Sequence, residues 1–319
     1  MPKVSVVIPC YNQGQYLDEA VNSVLNQTYQ DFEIIIVNDG STDEYTNQLL
    51  NDYSRPKTKV ITTNNQGLSM ARNNGINISQ GEYILPLDAD DKIGTKYLEI
   101  AINILDSDSD IGIVYSKAEF FGDLNGIWEL PEYKFPEILL GNRIFCSSFF
   151  RKSDWKKVGG YKKEMIYGWE DFEFWLSLLE LGVKVHRIDE VLFYYRQKQF
   201  SMVKNLDLDK QLYLFNVVID KHKKLYEDNI KFLVAKYISS ISEWKNYSSQ
   251  VISDKDGVID GLEKSIKEWE AHYNKTVIAK DDVINGLERS VEEWKNYVNN
   301  VIQDKDNIIQ DKDNIIQDK

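Results

Sequence analysis

Asp88-Ala89-Asp90-Asp91 sets three carboxylates in four positions, directly after the apolar run Tyr83-Ile84-Leu85-Pro86-Leu87. Like charges this close repel one another and are costly unless water or a cation neutralises them. Hard oxygen ligands at a strand end suit Mg²⁺ or Mn²⁺, with a substrate diphosphate completing the shell. A second acidic pair, Glu170-Asp171, stands among Trp169, Phe172 and Trp175. Aromatic neighbours desolvate a carboxylate and raise its pKa, so Asp171 is a candidate general base and Glu170 its nearest rival. Each pair alone also has a plain reading, as a solvated acidic turn or as the acidic opening of a helix at its positive end.

The elements that must hold these groups alternate. Val4-Ser5-Val6-Val7-Ile8 reads as a buried strand, and Tyr16, Leu17, Ala20, Val21, Val24 and Leu25 then share one helical face. Glu33 to Val37 is a second strand, and Ser41-Thr42-Asp43 offers N-caps. Lys59 to Thr62 is a third strand, a helix runs from about Leu68 to Ile78, and Tyr83 to Leu87 is the fourth strand. This β-α-β-α-β-α-β order predicts an α/β domain with a largely parallel, Rossmann-like sheet. Pro9-Cys10-Tyr11-Asn12, Asn38-Asp39-Gly40-Ser41, Asn64-Asn65-Gln66-Gly67 and Asp88 to Asp91 each follow a strand. In an open parallel sheet all four loops lie at the carboxyl edge, where ligands bind.

Composition narrows the classes. The 319 residues carry a net charge of −13, which argues against nucleic acid as a partner. Two cysteines, Cys10 and Cys146, make no disulfide framework and point to a reducing cytoplasm. His186, His222 and His272 lack zinc-ligand spacing. No apolar run approaches the roughly 20 residues of a membrane helix, so any membrane association is expected to be peripheral, at the inner face.

Pro9-Cys10-Tyr11-Asn12, Val37-Asn38-Asp39-Gly40-Ser41-Thr42-Asp43, Asn65-Gln66-Gly67-Leu68-Ser69 with Ala71-Arg72-Asn73, and Leu87 to Asp91 together resemble family 2 glycosyltransferases of the GT-A fold. Gly159-Gly160-Tyr161, Trp169-Glu170-Asp171 and Tyr194-Tyr195-Arg196 with Ser201 continue the match, which covers about residues 3–205. The resemblance implies inverting transfer from a nucleotide sugar, usually a UDP-sugar, to an acceptor hydroxyl on a glycan, lipid-linked or protein acceptor, in surface glycan or glycoconjugate synthesis. It implies that Pro9, Tyr11 and Asp39 hold the nucleobase, that Arg72 contacts the base or pyrophosphate side, that Asp88 touches the ribose or sugar, that Asp90 binds Mn²⁺ or Mg²⁺, and that Asp171 is the base. Asn12, Gly67, Ala89, Trp169, Glu170, Arg196 and Lys198 complete the expected donor site. Lys198 stands where many members have a metal-binding histidine, so the metal shell lacks a protein ligand there or the lysine neutralises diphosphate directly. Two competitors are a nucleotidyltransferase, which would carry a glycine-rich phosphate loop after its first strand, and a non-catalytic scaffold, against which the retained Asp88, Asp90 and Asp171 argue.

Residues 206–240 read as a helical connector, with a helix from about Leu206 to Tyr237 and Leu212, Phe215, Val218 and Ile219 as its buried face. From there to residue 319 the chain repeats. Trp244, Trp269 and Trp294 are 25 residues apart, with Val258-Ile259, Val283-Ile284 and Ile308-Ile309, and Leu262 and Leu287, in matched places. A repeat of that length fits seven turns at about 3.57 residues each, a long coiled-coil-like helix that pairs with copies of itself and makes a homo-oligomer. Unbroken, it would reach roughly 120 Å, with the tryptophans in its seam.

Overall fold

The computed structural model describes the backbone of residues 1–198, 206–276 and 281–317, and the side chains of 1–198, 206–269 and 288–306. It has two compact units, Met1–Leu233 and Val234–Lys319. Ser201, the expected domain boundary at 205, and the side chains of Val283-Ile284, Leu287, Ile308-Ile309 and the terminal isoleucines lie outside the described residues.

In the first unit β1 (Val4–Cys10) lies between β2 (Phe32–Asp39) and β4 (Tyr83–Pro86), and β3 (Thr58–Thr63) pairs with the far side of β2, all parallel. Every residue of β1 is buried, Ser5 included, as a mostly apolar strand requires in a sheet covered on both faces. The crossovers are α1 (Gly14–Leu25), α2 (Glu44–Asn51) and α3 (Leu68–Ile78). Asp43 caps α2 by accepting the Thr46 N–H at 2.8 Å. α3 lies directly on β1 and β2, because a Cβ at Gly75 would sit 2.4 Å from Val7 Cγ1 and 3.0 Å from Val37 Cγ2. The four strand ends therefore share one edge.

Beyond β4 the sheet is mixed. β8 (Phe149–Arg151) runs antiparallel between β4 and β6 (Ile111–Gly122), and β6 pairs in parallel with β9 (Lys184–Gln197). β9 carries β5 (Lys92–Ile93) on its far side, and β7 (Gly126–Trp128) forms a hairpin with β6. The order is β3-β2-β1-β4-β8-β6-β9-β5. α4 (Tyr97–Ser107), the 3₁₀ turn Glu137–Leu140, α5 (Lys152–Val158) and α6 (Glu170–Leu179) complete the α/β body.

The connector differs from its expected form. The single helix breaks at His222, giving α7 (Leu208–Lys221) and α8 (Lys223–Thr276). The break lets the His222 ring sink to 2% exposure between Glu173 and Glu180. The buried stripe of α7 is Leu214 and Val218, while Leu212 and Ile219 are exposed. A 3.6-residue period fits both stripes, and packing selects one.

In the second unit α8 from Val234 onward is joined by α9 (Asp281–Gln317). Val251, Lys255 and Val258 of α8 and Trp294, Tyr297 and Val298 of α9 line one cavity of about 300 Å³. Four residues separate the helices, too few to carry the chain back along a helix, so α9 returns antiparallel to α8. The unbroken rod is thus replaced by two helices that face each other. Trp244, Trp269 and Trp294 are about half exposed, and Ser248 and Val298 are buried instead. The tryptophans flank the seam rather than fill it. No described helix is long and apolar enough to cross a membrane.

Candidate active site

The acidic turn is tied down by cations on two sides. Leu87 N–H bonds the Val7 carbonyl at 2.9 Å and Asp91 N–H the Asp88 carbonyl at 3.0 Å, which fixes the turn to the edge of β1 and β4. Asp88 Oδ1 accepts from the Arg72 guanidinium at 2.7 Å, and the Cys146 thiol lies 3.5 Å from its Oδ2. Asp90 is ion-paired with the Lys198 ammonium. Asp91 is buried; one oxygen accepts the Arg196 N–H at 2.8 Å and the other has no hydrogen-bond partner among the described residues. Burial, then the Asp88 charge, raises the Asp90 pKa despite Lys198. Burial and the charges of Asp90 and Asp88 push Asp91 well up. Arg196 holds the turn from β9: its Nε donates to the Asp90 carbonyl at 2.7 Å, and its guanidinium pairs with Glu19 above the rings of Tyr16 and Phe121.

Arg72, expected to face the donor, has no exposed surface. Its guanidinium pairs with Asp88 on one side and with Glu170 on the other. It is therefore an internal clamp between the end of β4 and the start of α6. Glu170 is used up in this clamp, which leaves Asp171 as the acid of the pair with a different environment. Asp171 Oδ2 accepts from Asn142 Nδ2 at 2.9 Å and Oδ1 from the Phe172 N–H at 2.7 Å. Burial, then the Glu170 charge, raises the Asp171 carboxyl to about 7, against the pull of Arg72. Trp169 opens α6 in the left-handed region (φ 60°) and packs edge-on against Phe172 and Phe215.

At the other strand ends the expected residues divide. The Tyr11 ring is 44% exposed, while Pro9 and Ala89 are buried. The Asn12 side chain accepts from Thr42 and Asp43 N–H (2.8 and 2.9 Å) and donates to Thr42 Oγ1, so it staples one edge loop to the next. Asp39 is 3% exposed, and its carboxylate accepts from the Gln66 and Gly67 N–H groups at 3.1 and 3.0 Å. Gly67 has φ 84° and open space where a Cβ would lie.

Comparison with known proteins agrees with this geometry. The family model Glycosyl transferase family 2 matches residues 5–163. The chain carries a family 2 glycosyltransferase domain. An uncharacterized glycosyltransferase of Methanocaldococcus jannaschii is 29% identical over 72% of this chain and 84% of its own. The chondroitin synthase of Escherichia coli is 28% identical over 80% of this chain, which spans 37% of that enzyme's length. The crystal structure of S. aureus TarS in complex with UDP-GlcNAc superposes with a TM-score of 0.56 at 25% identity, over 68% of this chain and 66% of that one.

This glycosyltransferase offers a cation few protein ligands. Among the described residues no group of three His, Cys, Asp or Glu side chains converges as a metal site. Asp88 and Asp90 are nonetheless hard oxygen donors on one turn, and the next residue, Asp91, has a buried oxygen without a hydrogen-bond partner among the described residues. One or two carboxylates with substrate oxygens is the usual manner of holding Mg²⁺, so the donor set fits a shared ion. Asn142 and Cys146, which touch Asp171 and Asp88, escape a reading of the sequence. They lie in an irregular stretch without periodicity or motif, and only the fold brings them to the carboxylates.

Proposed function

We propose that this glycosyltransferase moves a sugar from a UDP-sugar to an acceptor hydroxyl with inversion at the anomeric carbon. Asp171 takes the hydroxyl proton as the oxygen attacks; a carboxyl titrating at about 7 is a base matched to neutral pH. The observation that carries this reading is the buried Arg72 clamp, which ties the acidic turn at Asp88 to Glu170, the neighbour of the base. Tyr11, Pro9 and Asp39 form the nucleobase side. Asn12, Gly67 and Arg196 shape the donor edge, with Trp169 and Lys198 at its sugar and phosphate end, while the buried Ala89, Arg72 and Glu170 support it from within. Mn²⁺ or Mg²⁺ would be held by Asp90, with Asp88 beside it. When bound, that ion supplies positive charge to the leaving diphosphate.

The UDP-GlcNAc in TarS supports the donor class, and the likeness to chondroitin synthase supports a glycan acceptor in polysaccharide or glycoconjugate synthesis. Residues 1–205 carry the chemistry, 206–240 connect, and 241–319 associate with other copies of the chain. The enzyme works in the cytoplasm, with peripheral contact at the inner membrane face. A panel of nucleotide sugars tested on the full chain, with and without Mn²⁺, by thermal shift and UDP release examines this. A true donor at a hundred times its Kd stabilises the fold by about 2.7 kcal/mol. Asp171→Asn is expected to lose transfer and keep the donor's thermal shift. Inertness toward every nucleotide sugar, with metal or without, would sink the reading in favour of a scaffold.

A further inference from the structure

Residues 139–146 form a strap across the site. Its Leu139 carbonyl accepts the Tyr226 hydroxyl at 3.1 Å, and its Ile144 carbonyl accepts the Trp175 indole N–H at 2.9 Å. Trp175 stands one helical turn after Asp171 on α6, so the strap and the base share a rigid support. Between these anchors Asn142 Oδ1 accepts the Ile144 N–H at 3.1 Å, which decides the orientation of its amide. The NH₂ group is thereby aimed at Asp171 Oδ2. The other carboxylate oxygen accepts the N–H of Phe172, the third residue of α6.

We propose that Asn142 is the positioning residue of Asp171: its amide holds one carboxylate oxygen, fixes the rotamer and favours the charged form of the base. The proposal rests on the reading of Asp171 as the base. A donor to the ionised carboxylate opposes the burial that otherwise keeps it protonated. Without it the carboxyl is held through one oxygen only and keeps its proton to higher pH. The strap also brings Cys146 to Asp88, so the segment that aims the base also touches the acid turn on the donor side.

The test follows the Asp171 carboxyl itself, by ¹³C NMR of the full chain labelled at aspartate side-chain carboxyls. The signal is assigned by its loss in Asp171→Asn. Asn142→Ala is expected to raise the titration midpoint by about one to two pH units, the weight of one hydrogen bond to a charged group. Its thermal shift with UDP and Mn²⁺ is expected to match the native chain. Asn142→Asp keeps the shape and adds a like charge, so the midpoint rises further; it serves where the alanine variant fails to fold. An unmoved midpoint in the folded variant overturns the proposal, and a purely structural role predicts that result. Transfer that survives in Asp171→Asn overturns the base reading instead, whatever the midpoint does in Asn142→Ala.

Discussion

Asp171 weakens the fold that holds it. Its carboxyl is raised from 3.8 to about 7, so between those values the folded chain binds a proton that the unfolded chain has released. Stability therefore falls as pH rises through that window, and above it the whole penalty is present. Asp171→Asn removes the charge. It is expected to raise Tm by about 2–4 °C at pH 8 and to leave it unchanged near pH 3, as scanning calorimetry would measure. On the proposed assignment of Asp171 as the base, the same titration sets the rate: transfer by the native enzyme is expected to decline below about pH 7, as that carboxylate takes up its proton. Arg72 behaves in the opposite sense. Arg72→Met strands Glu170 in the interior and is expected to cost about 3–5 kcal/mol in urea denaturation. Adding Glu170→Gln restores part of that loss. Asp88, Asp90 and Asp171 were legible because strand ends and an aromatic helix mark them. That Arg72 faces inward was not, since a guanidinium reads the same whether it meets a phosphate or two carboxylates.

Packing between elements reverses one familiar preference. Alanine in place of a helical glycine normally gains up to ~1 kcal/mol. At Gly75 the added methyl meets Val7 at 2.4 Å, so Gly75→Ala is expected to destabilise by about 1–3 kcal/mol through overpacking, measured by chemical denaturation. The junction of α7 and α8 holds a second electrostatic element. Burial alone would lower the His222 pKa, but Glu173 and Glu180, the acids paired with its two ring nitrogens, raise it above 6.5. A raised histidine contributes fully below its unfolded pKa and loses that contribution as pH climbs through the folded value. The Tm advantage of the native chain over His222→Gln is therefore expected to be largest near pH 6 and to shrink by pH 9. The β-α alternation as far as β4 could be read directly, because the buried strands β1, β2 and β4 and the one-sided apolar faces of the helices between them write themselves as apolar runs and turn residues. The mixed half of the sheet could not. β5, β7 and β8 have two or three residues each, and strands that short carry no period.

The molecule as a whole, with a net charge of −13, joins an α/β body to a helical tail. The sequence of the tail predicts a stripe that seeks copies of itself; within one chain α9 meets α8 beside the tryptophans, at Ser248 and Val298. Val298 is buried in this seam, and Val298→Asp is expected to cost on the order of 2–3 kcal/mol, read as an early loss of helical circular dichroism on heating. Light scattering on the full chain tests whether the exposed tryptophans then gather further copies.

Ser248, Val251, Ile252 and Lys255 are withdrawn from solvent to the same degree as Val298, Val301, Ile302 and Lys305, each fifty positions later. A gene encoding such a tail can expand or contract by unequal recombination. Gain of two 25-residue units adds one to each leg, lengthening the hairpin by about 37 Å with every pairing intact. Gain of a single unit leaves one copy without a counterpart across the seam. Natural variants of this chain are thus expected to differ in tail length by even numbers of units.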